Sequence, residues 1–82
     1  MRMQIDQALD NLEAVLNAAG FNLANIVRLN YYVTDVDLFV ANSDVVKTRV
    51  SIAGCRFAST LLGVSRLAYP ELLVEIEATA VK

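Results

Sequence analysis

The 82-residue chain lacks histidine and tryptophan, and it has only one cysteine, one proline and three glycines. The absence of histidine excludes Ser–His and Cys–His catalytic pairs and removes the most common nitrogen ligand of zinc. The single cysteine, Cys55, cannot form an internal disulfide, which fits a cytoplasmic protein. A free structural thiol is the simplest interpretation of Cys55, because no histidine is present to activate it. We expect no metal and no cofactor.

Two further classes of protein are disfavoured by charge and hydropathy. The net charge is −2, and no segment is rich in lysine or arginine, so a nucleic-acid interface is not expected. No apolar run approaches the ~20 residues that cross a bilayer, and the N-terminal segment MRMQIDQALDN is too polar for a signal peptide. Apolar residues make up 56% of the chain, enough for a core with apolar surface left for a partner subunit.

The spacing of apolar residues predicts one small domain over residues 1–82, with the element order α-β-α-β-β. Apolar residues recur at steps of three and four along an amphipathic helix over roughly residues 3–19, which Gly20 ends in a left-handed conformation. A second helix is predicted over roughly residues 37–53, with Thr34 or Asp35 as its cap. The three predicted strands are NIVRLNYYVTD, ASTLLGVSR and LLVEIEATAVK.

Alternation along these strands separates an apolar face from a polar face. In the first strand it assigns Val27, Leu29, Tyr31 and Val33 to the apolar face, and Arg28, Asn30, Tyr32 and Thr34 to the polar face. In the last strand Glu75 and Glu77 share the polar face, where they repel each other unless a cation or proton intervenes. We therefore expect Arg28 to pair with these glutamates, and we expect the narrow sheet to associate with other copies.

Four segments, QALDNLEAVLNAAG, VRLNYYVTDVDLFVANSDVV, STLLGV and LLVEIEATAV, together resemble the RidA/YjgF family of reactive intermediate deaminases, also called endoribonuclease L-PSP. The resemblance covers essentially the whole chain. It implies an α+β, chorismate mutase-like fold with two helices on one face of a small sheet. It also implies a homotrimer with small-molecule clefts between its subunits. The family's N-terminal β-hairpin has no counterpart here, so we expect a single, N-terminally truncated domain.

The resemblance also supplies candidate site residues. The family's catalytic glutamate, which positions water for attack on an imine, corresponds to Glu75. The arginine that binds the substrate carboxylate falls on Ser59 or, in an alternative alignment, on Ala58, and neither can replace a guanidinium. Arg56 is a nearby arginine that could swing in to replace it. The full set of ligand-binding candidates is Ser59, Thr60, Asn42, Tyr32, Arg28 and Arg56.

Three functions remain open at this level. The first is a family member that keeps an inter-subunit small-molecule cleft but has lost imine or enamine deamination, because the arginine is replaced. The second is a deaminase that hydrolyses an imine or enamine to a keto acid and ammonia with Glu75. The third is a truncated remnant that folds only as an oligomer. For Glu75 itself, a solvated glutamate on an exposed strand is the structural alternative.

Overall fold

A three-stranded sheet with helices on one side forms the framework of the computed structural model, which describes residues 1–54 and 56–82. Cys55 lies outside the described residues, so its predicted role as a free thiol stays a prediction. The helices and strands, in chain order, are α1 (Arg2–Ala18), a short 3-10 helix (Leu23–Asn25), β1 (Ile26–Val33), α2 (Val36–Ala41), α3 (Asp44–Ile52), β2 (Ala58–Gly63) and β3 (Val74–Ala80). The predicted α+β fold is confirmed.

The strand order in the sheet is β2-β1-β3, which puts β1 at the centre. Strands β1 and β2 are parallel, and α2 and α3 form the crossover between them, as parallel neighbours require. Strand β3 returns antiparallel on the other side of β1. Both outer strands therefore keep one edge without a partner strand in the described part of the chain.

The core lies between the helices and the sheet face that they cover. Every second residue of β1 points into it, so that Leu29 is 0% exposed. The ring of Tyr31 packs against that of Phe39 with 5.1 Å between centroids. Each such buried side chain contributes roughly 1.5–3 kcal/mol of transfer free energy. The buried apolar residues are Ile5, Leu9, Leu16, Leu23, Ile26, Leu29, Tyr31, Val33, Phe39, Val46, Val50 and Val74.

The end of α1 agrees with the prediction. Gly20 has a φ of 85°, and the N–H of Phe21 donates to the carbonyl of Leu16 across 2.8 Å. This six-to-one hydrogen bond closes the helix in a Schellman arrangement, which a side chain at Gly20 would strain. Gly54, with a φ of 71°, follows α3 in the same conformation.

The single helix predicted over roughly residues 37–53 is wrong, because the segment forms two helices that break at Asn42 and Ser43. The Asn42 side-chain amide donates to the Leu38 carbonyl at 2.8 Å, and the Ser43 hydroxyl donates to the Val40 carbonyl at 2.9 Å. Side chains of this kind compete with the helical hydrogen bonds and end α2. Of the two predicted caps, Thr34 and Asp35, the structure has Asp35, whose carboxylate accepts the Leu38 N–H at 3.0 Å.

The assignment of Val27 to the apolar face is also wrong. The ladder between β1 and β3 shifts register between Ile26 and Arg28, because Ile26 pairs with Ala80 and Arg28 pairs with Thr79. The extra residue is a β-bulge, so Ile26 takes the buried position while Val27 stays 42% exposed. Beyond the bulge, β1 alternates as predicted.

Candidate functional site

The sheet face opposite the helices gathers most of the predicted site residues. Because paired residues of neighbouring strands point to the same side, the register places three rows of side chains on this face. Arg28 lies between Ala58 and Thr79, Asn30 lies between Thr60 and Glu77, and Tyr32 lies between Leu62 and Glu75. We call polar face the set formed by Arg28, Asn30, Tyr32, Thr60, Glu75 and Glu77.

Glu77 is the centre of a hydrogen-bonded cluster on the polar face. Its Oε1 accepts a hydrogen bond from Asn30 Nδ2 at 2.8 Å and another from the Tyr32 hydroxyl at 3.2 Å. The hydrogen bond to Glu77 raises the pKa of Tyr32 above its ordinary value, and burial and the charges of Glu77 and Glu75 act in the same direction. The guanidinium of Arg28 opposes this shift. Tyr32 is therefore held in its protonated, donating form.

Glu75 differs from Glu77 although both belong to the same strand and the same face. Its side chain is exposed, and it forms no hydrogen bond or ion pair with any residue that the structure describes. Its charge nevertheless contributes to the raised pKa of Tyr32. The Glu75 carboxylate, which has no partner among the described residues, can therefore act as a general base or orient a water molecule.

Arg28 does not pair with the glutamates, contrary to the prediction. Its Nη2 donates instead to the hydroxyl of Thr60 on β2. The register explains the difference, because Arg28 lies opposite Thr79 and meets Glu77 only along a diagonal, while Ala58 on its other side is small. A guanidinium is therefore present at the start of β2, but it comes from β1.

The remaining candidates lie elsewhere. Ser59 belongs to the helix-facing side of β2, where it borders a cavity of about 190 Å³ with Tyr31 and Phe39. Asn42 lies in the helical layer, and its Oδ1 accepts a hydrogen bond from Arg2 at 3.4 Å. Arg56 is exposed before β2 and contacts no charged partner among the described residues. The structure thus brings Arg28, Tyr32, Thr60 and Glu75 together and separates them from Ser59 and Asn42.

Sequence reasoning missed Asn30 as a site residue. Its Nδ2 is bonded to Glu77, but its Oδ1 is buried and has no hydrogen-bond partner in the described part of the molecule. A buried acceptor without a donor costs about 1–3 kcal/mol. The available signal was an asparagine in the middle of a strand, where its intrinsic preference is poor.

A charge cluster between α1 and α3 was also missed. The guanidinium of Arg49 lies 2.8 Å from Asp10 Oδ1, 3.3 Å from Glu13 Oε1 and 3.5 Å from Asp6 Oδ1. The three acids follow each other at steps of four and three, which places them on one helix face and could have indicated a basic partner. This cluster joins two helices and does not contact the polar face.

The whole chain is similar to known proteins of one family. The family model described as endoribonuclease L-PSP matches residues 1–82. The chain belongs to this family, the RidA/YjgF family. A RutC family protein of Pyrococcus horikoshii is 33% identical over 79 residues, which are 96% of this chain and 60% of that protein.

Solved structures of the RidA/YjgF family share the fold. The YjgF gene product of E. coli superposes with a TM-score of 0.85 at 31% identity, and the match covers 94% of this chain and 61% of that one. E. coli TdcF with bound serine gives a TM-score of 0.83 at 28% identity, over 92% of this chain and 59% of that one. The chain spans about three fifths of the length of the curated relatives that it matches, at 60% and 62%.

Residues 1–54 and 56–82 contain neither a membrane-spanning helix nor a cluster of metal ligands. No helix there is both long and apolar enough to cross a membrane. Within the same residues, no three or more side chains of cysteine, aspartate or glutamate converge as metal ligands. The polar face, which gathers most of the predicted site residues, is the candidate site.

Proposed function

We propose that this RidA/YjgF family member is a homo-oligomer, with a trimer expected, that binds a small polar molecule without deaminating it. The polar face forms one wall of a cleft between copies. The observation that carries the proposal is the hydrogen-bonded group of Asn30, Tyr32 and Glu77 beside the unpaired carboxylate of Glu75. Such a surface presents several converging polar groups and suits a ligand with several polar groups of its own.

The chemistry expected of the ligand follows from the donors and acceptors of the polar face. Arg28 supplies a positive charge, while the exposed carboxylate of Glu75 supplies an acceptor for an amine or hydroxyl. A small amino or hydroxy acid combines these groups. E. coli TdcF, a relative of this fold, was solved with bound serine. Serine is therefore the first ligand to test.

Loss of deamination is proposed because β2 begins with Ala58, Ser59 and Thr60, whereas the family resemblance implies an arginine there. Ser59 points to the helices, so it cannot meet a ligand on the polar face. A hydroxyl in any case lacks the charge and the fork that bind a carboxylate.

Deamination remains the second candidate function, and the position of Arg28 favours it. Its guanidinium reaches Thr60 at the start of β2, where the substrate carboxylate of a deaminase would be bound. In that mechanism Arg28 anchors the carboxylate, and Glu75 takes a proton from the water that attacks the imine carbon. The carbinolamine then collapses to the keto acid and releases ammonia.

One experiment separates the two functions. The purified protein is titrated with serine by calorimetry, and it is also mixed with a freshly generated 2-aminoacrylate-type imine while ammonia release is followed. Binding of serine with no ammonia release above buffer supports the proposal. Ammonia release that disappears in Glu75→Gln supports the deaminase instead.

A matched pair of variants tests the role of Arg28. Arg28→Gln is expected to weaken serine binding about tenfold or more, because a charge-assisted hydrogen bond contributes about 1.5–3 kcal/mol. Arg66→Gln, which changes an exposed arginine outside the sheet, is the control and should bind serine unchanged. Equal weakening in both variants contradicts a ligand on the polar face.

The oligomer is tested separately by light scattering coupled to size-exclusion chromatography. A trimer that binds serine supports the proposal. An assembly that unfolds on dilution and binds no small molecule supports the third possibility, a remnant that folds only through association.

A further inference from the structure

We propose that Leu62 determines which side chain a ligand of the polar face can carry, and that the preferred ligand is a small amino acid with an apolar side chain. The inference rests on the proposed function, because it concerns a ligand bound to the same face. It adds a contact residue and a property of the ligand that the polar groups leave open. Serine is then a ligand that binds, but not the one that binds best.

The first observation is the place of Leu62 in the sheet. Leu62 pairs with Tyr32 of β1, and Tyr32 pairs in turn with Glu75 of β3. Because paired residues of neighbouring strands point to the same side, Leu62 lies in the same row of side chains as Glu75. Its neighbour Leu61 pairs with the buried Tyr31 and packs against the core on the other side of the sheet. Core formation therefore does not account for Leu62.

The second observation is the chemistry of the nine residues that form the three rows of this face. Leu62 is the only aliphatic side chain larger than alanine among them, and it is 46% exposed. Apart from Ala58, the other eight are polar or charged. In small-molecule sites a few polar groups fix the orientation of the ligand, and apolar side chains contact the rest of it. Leu62 can supply that apolar contact.

The third observation is the spacing of three unlike groups. The guanidinium of Arg28 bonds to the hydroxyl of Thr60, which precedes Leu62 by two residues on β2. Two residues of a strand span about 7 Å. Glu75 lies two strands away from Leu62, a separation of about 10 Å between the strand axes. A cation, an apolar group and an anion thus occupy three corners of one small area of the sheet.

These corners define how an amino acid lies on the polar face. Its carboxylate accepts hydrogen bonds from Arg28, and its ammonium group donates to Glu75. The side chain of the amino acid then faces the remaining corner, Leu62. An apolar side chain there removes apolar surface of both partners from water, whereas a hydroxyl loses hydrogen bonds to water that a leucine cannot replace.

Two ligands of nearly equal shape test the inference. 2-Aminobutyrate differs from serine only in a methyl group that replaces the hydroxyl. In calorimetric titrations of the full chain, 2-aminobutyrate should bind about fourfold more tightly or better, the factor expected for one buried methyl group. Serine that binds as tightly as 2-aminobutyrate would overturn the inference and leave the proposed function standing. If neither amino acid binds, the proposed function fails together with the inference.

Variants of Leu62 test whether this residue causes the preference. Leu62→Asn keeps the approximate size of the side chain and should abolish or reverse the preference, because an amide can bond to the serine hydroxyl. Leu62→Ala should reduce the preference without adding a polar group. The matched control is Leu38→Asn, at a leucine of α2 that is 40% exposed and lies outside the sheet. The control should keep the full preference for 2-aminobutyrate.

An unchanged preference in both Leu62 variants would overturn the inference, as would an equal loss in the Leu38 control. Light scattering on the same variants then shows what Leu62 does instead. A change in the mass of the assembly, with the ligand preference intact, would make Leu62 a contact between copies of the chain.

Discussion

The eight residues of the central strand β1 alternate between two faces of the sheet, and the two faces are stabilised by different interactions. On the helix-facing side, Leu29 and Val33 are fully buried among apolar neighbours. On the polar face, Asn30 and Tyr32 are half-buried and bond to one carboxylate, Glu77. The hydrophobic effect that stabilises the first face is non-directional, whereas the hydrogen bonds of the second face depend on distances and angles.

The comparison shows how stability and chemistry are divided in a small domain. Apolar burial on one face supplies the free energy of folding, and the other face carries polar groups that contribute little to it. The buried Oδ1 of Asn30 without a donor is a cost that the polar face bears within the described chain. We therefore expect substitutions on the two faces to have different effects.

The largest expected effect is on the buried face. Leu29→Ala should lower the free energy of unfolding by about 3 kcal/mol, because the Leu29 side chain is fully buried and its truncation leaves a cavity in the core. Urea denaturation followed by circular dichroism measures this change. The control is Leu62→Ala. Leu62 is 46% exposed and lies on β2, on the sheet face opposite the helices, so its truncation should lower the free energy of unfolding far less. Similar losses in both variants would contradict the division between the faces.

A smaller effect is expected at Asn30. Asn30→Val removes a hydrogen bond to a charged group, about 1.5–3 kcal/mol, and also removes a buried unpaired acceptor of about 1–3 kcal/mol. The two nearly cancel, so the free energy of unfolding should change by less than about 1 kcal/mol in either direction. Chemical denaturation checks this, with Thr79→Val on the same face as the control. A loss as large as that of Leu29→Ala would show that the polar face is structural.

The third prediction concerns the ionisation of Tyr32. In Glu77→Gln the pKa of Tyr32 should fall towards its ordinary value, because the accepting carboxylate and its charge are removed. In the unaltered chain the folded pKa is the higher one, so this contribution to stability is present below about pH 10 and is lost as the pH rises through the folded pKa. Alkaline titration followed by tyrosine ultraviolet absorbance or ring NMR measures the shift.

Glu75→Gln is the matched control for that titration. Glu75 acts on Tyr32 only through its charge, so this variant should lower the pKa of Tyr32 less than Glu77→Gln does. The reverse order would contradict the hydrogen bond between Tyr32 and Glu77.

The smallest effect is expected outside both faces, at the exposed ion pair of Arg2 and Asp44. Its Arg2 Nη2 and Asp44 Oδ2 atoms are 2.7 Å apart. The hydrogen bond from Arg2 lowers the pKa of Asp44. Its contribution is therefore present above about pH 3.9 and is lost as the pH falls through the folded value. Arg2→Gln should differ from the unaltered chain near neutral pH and converge with it in acid, as urea denaturation at several pH values would show. Arg66→Gln should show no such convergence.

Much of the fold could be predicted from particular residues. The stripe from Ile5 to Leu16 predicted α1, Gly20 predicted its end, and the alternation of Leu29, Tyr31 and Val33 predicted the buried face of β1. These signals are local, because each depends on the period of one element. The four segments that resemble the RidA/YjgF family indicated the fold as a whole, which the family comparison confirms.

Other features needed contacts between distant segments. The break between α2 and α3 depends on side-chain bonds of Asn42 and Ser43 that compete with a continuous helix. The exposure of Val27 depends on a bulge that only the pairing with β3 defines. For the site, sequence reasoning assigned Arg28, Tyr32 and Glu75 to the polar side of their strands, but it could not assign the faces of Ser59 and Thr60 without the register of β2.

The sequence by itself determined the elements and the two-sided character of the strands, because side-chain direction repeats every two residues in a strand and every 3.6 in a helix. Only the tertiary structure decided that Arg28 bonds to Thr60, and that among the described residues Glu77 has side-chain partners while Glu75 has none. The physical reason is that strand order and register join residues up to 54 positions apart, as Ile26 and Ala80 are, and no local pattern specifies those pairings.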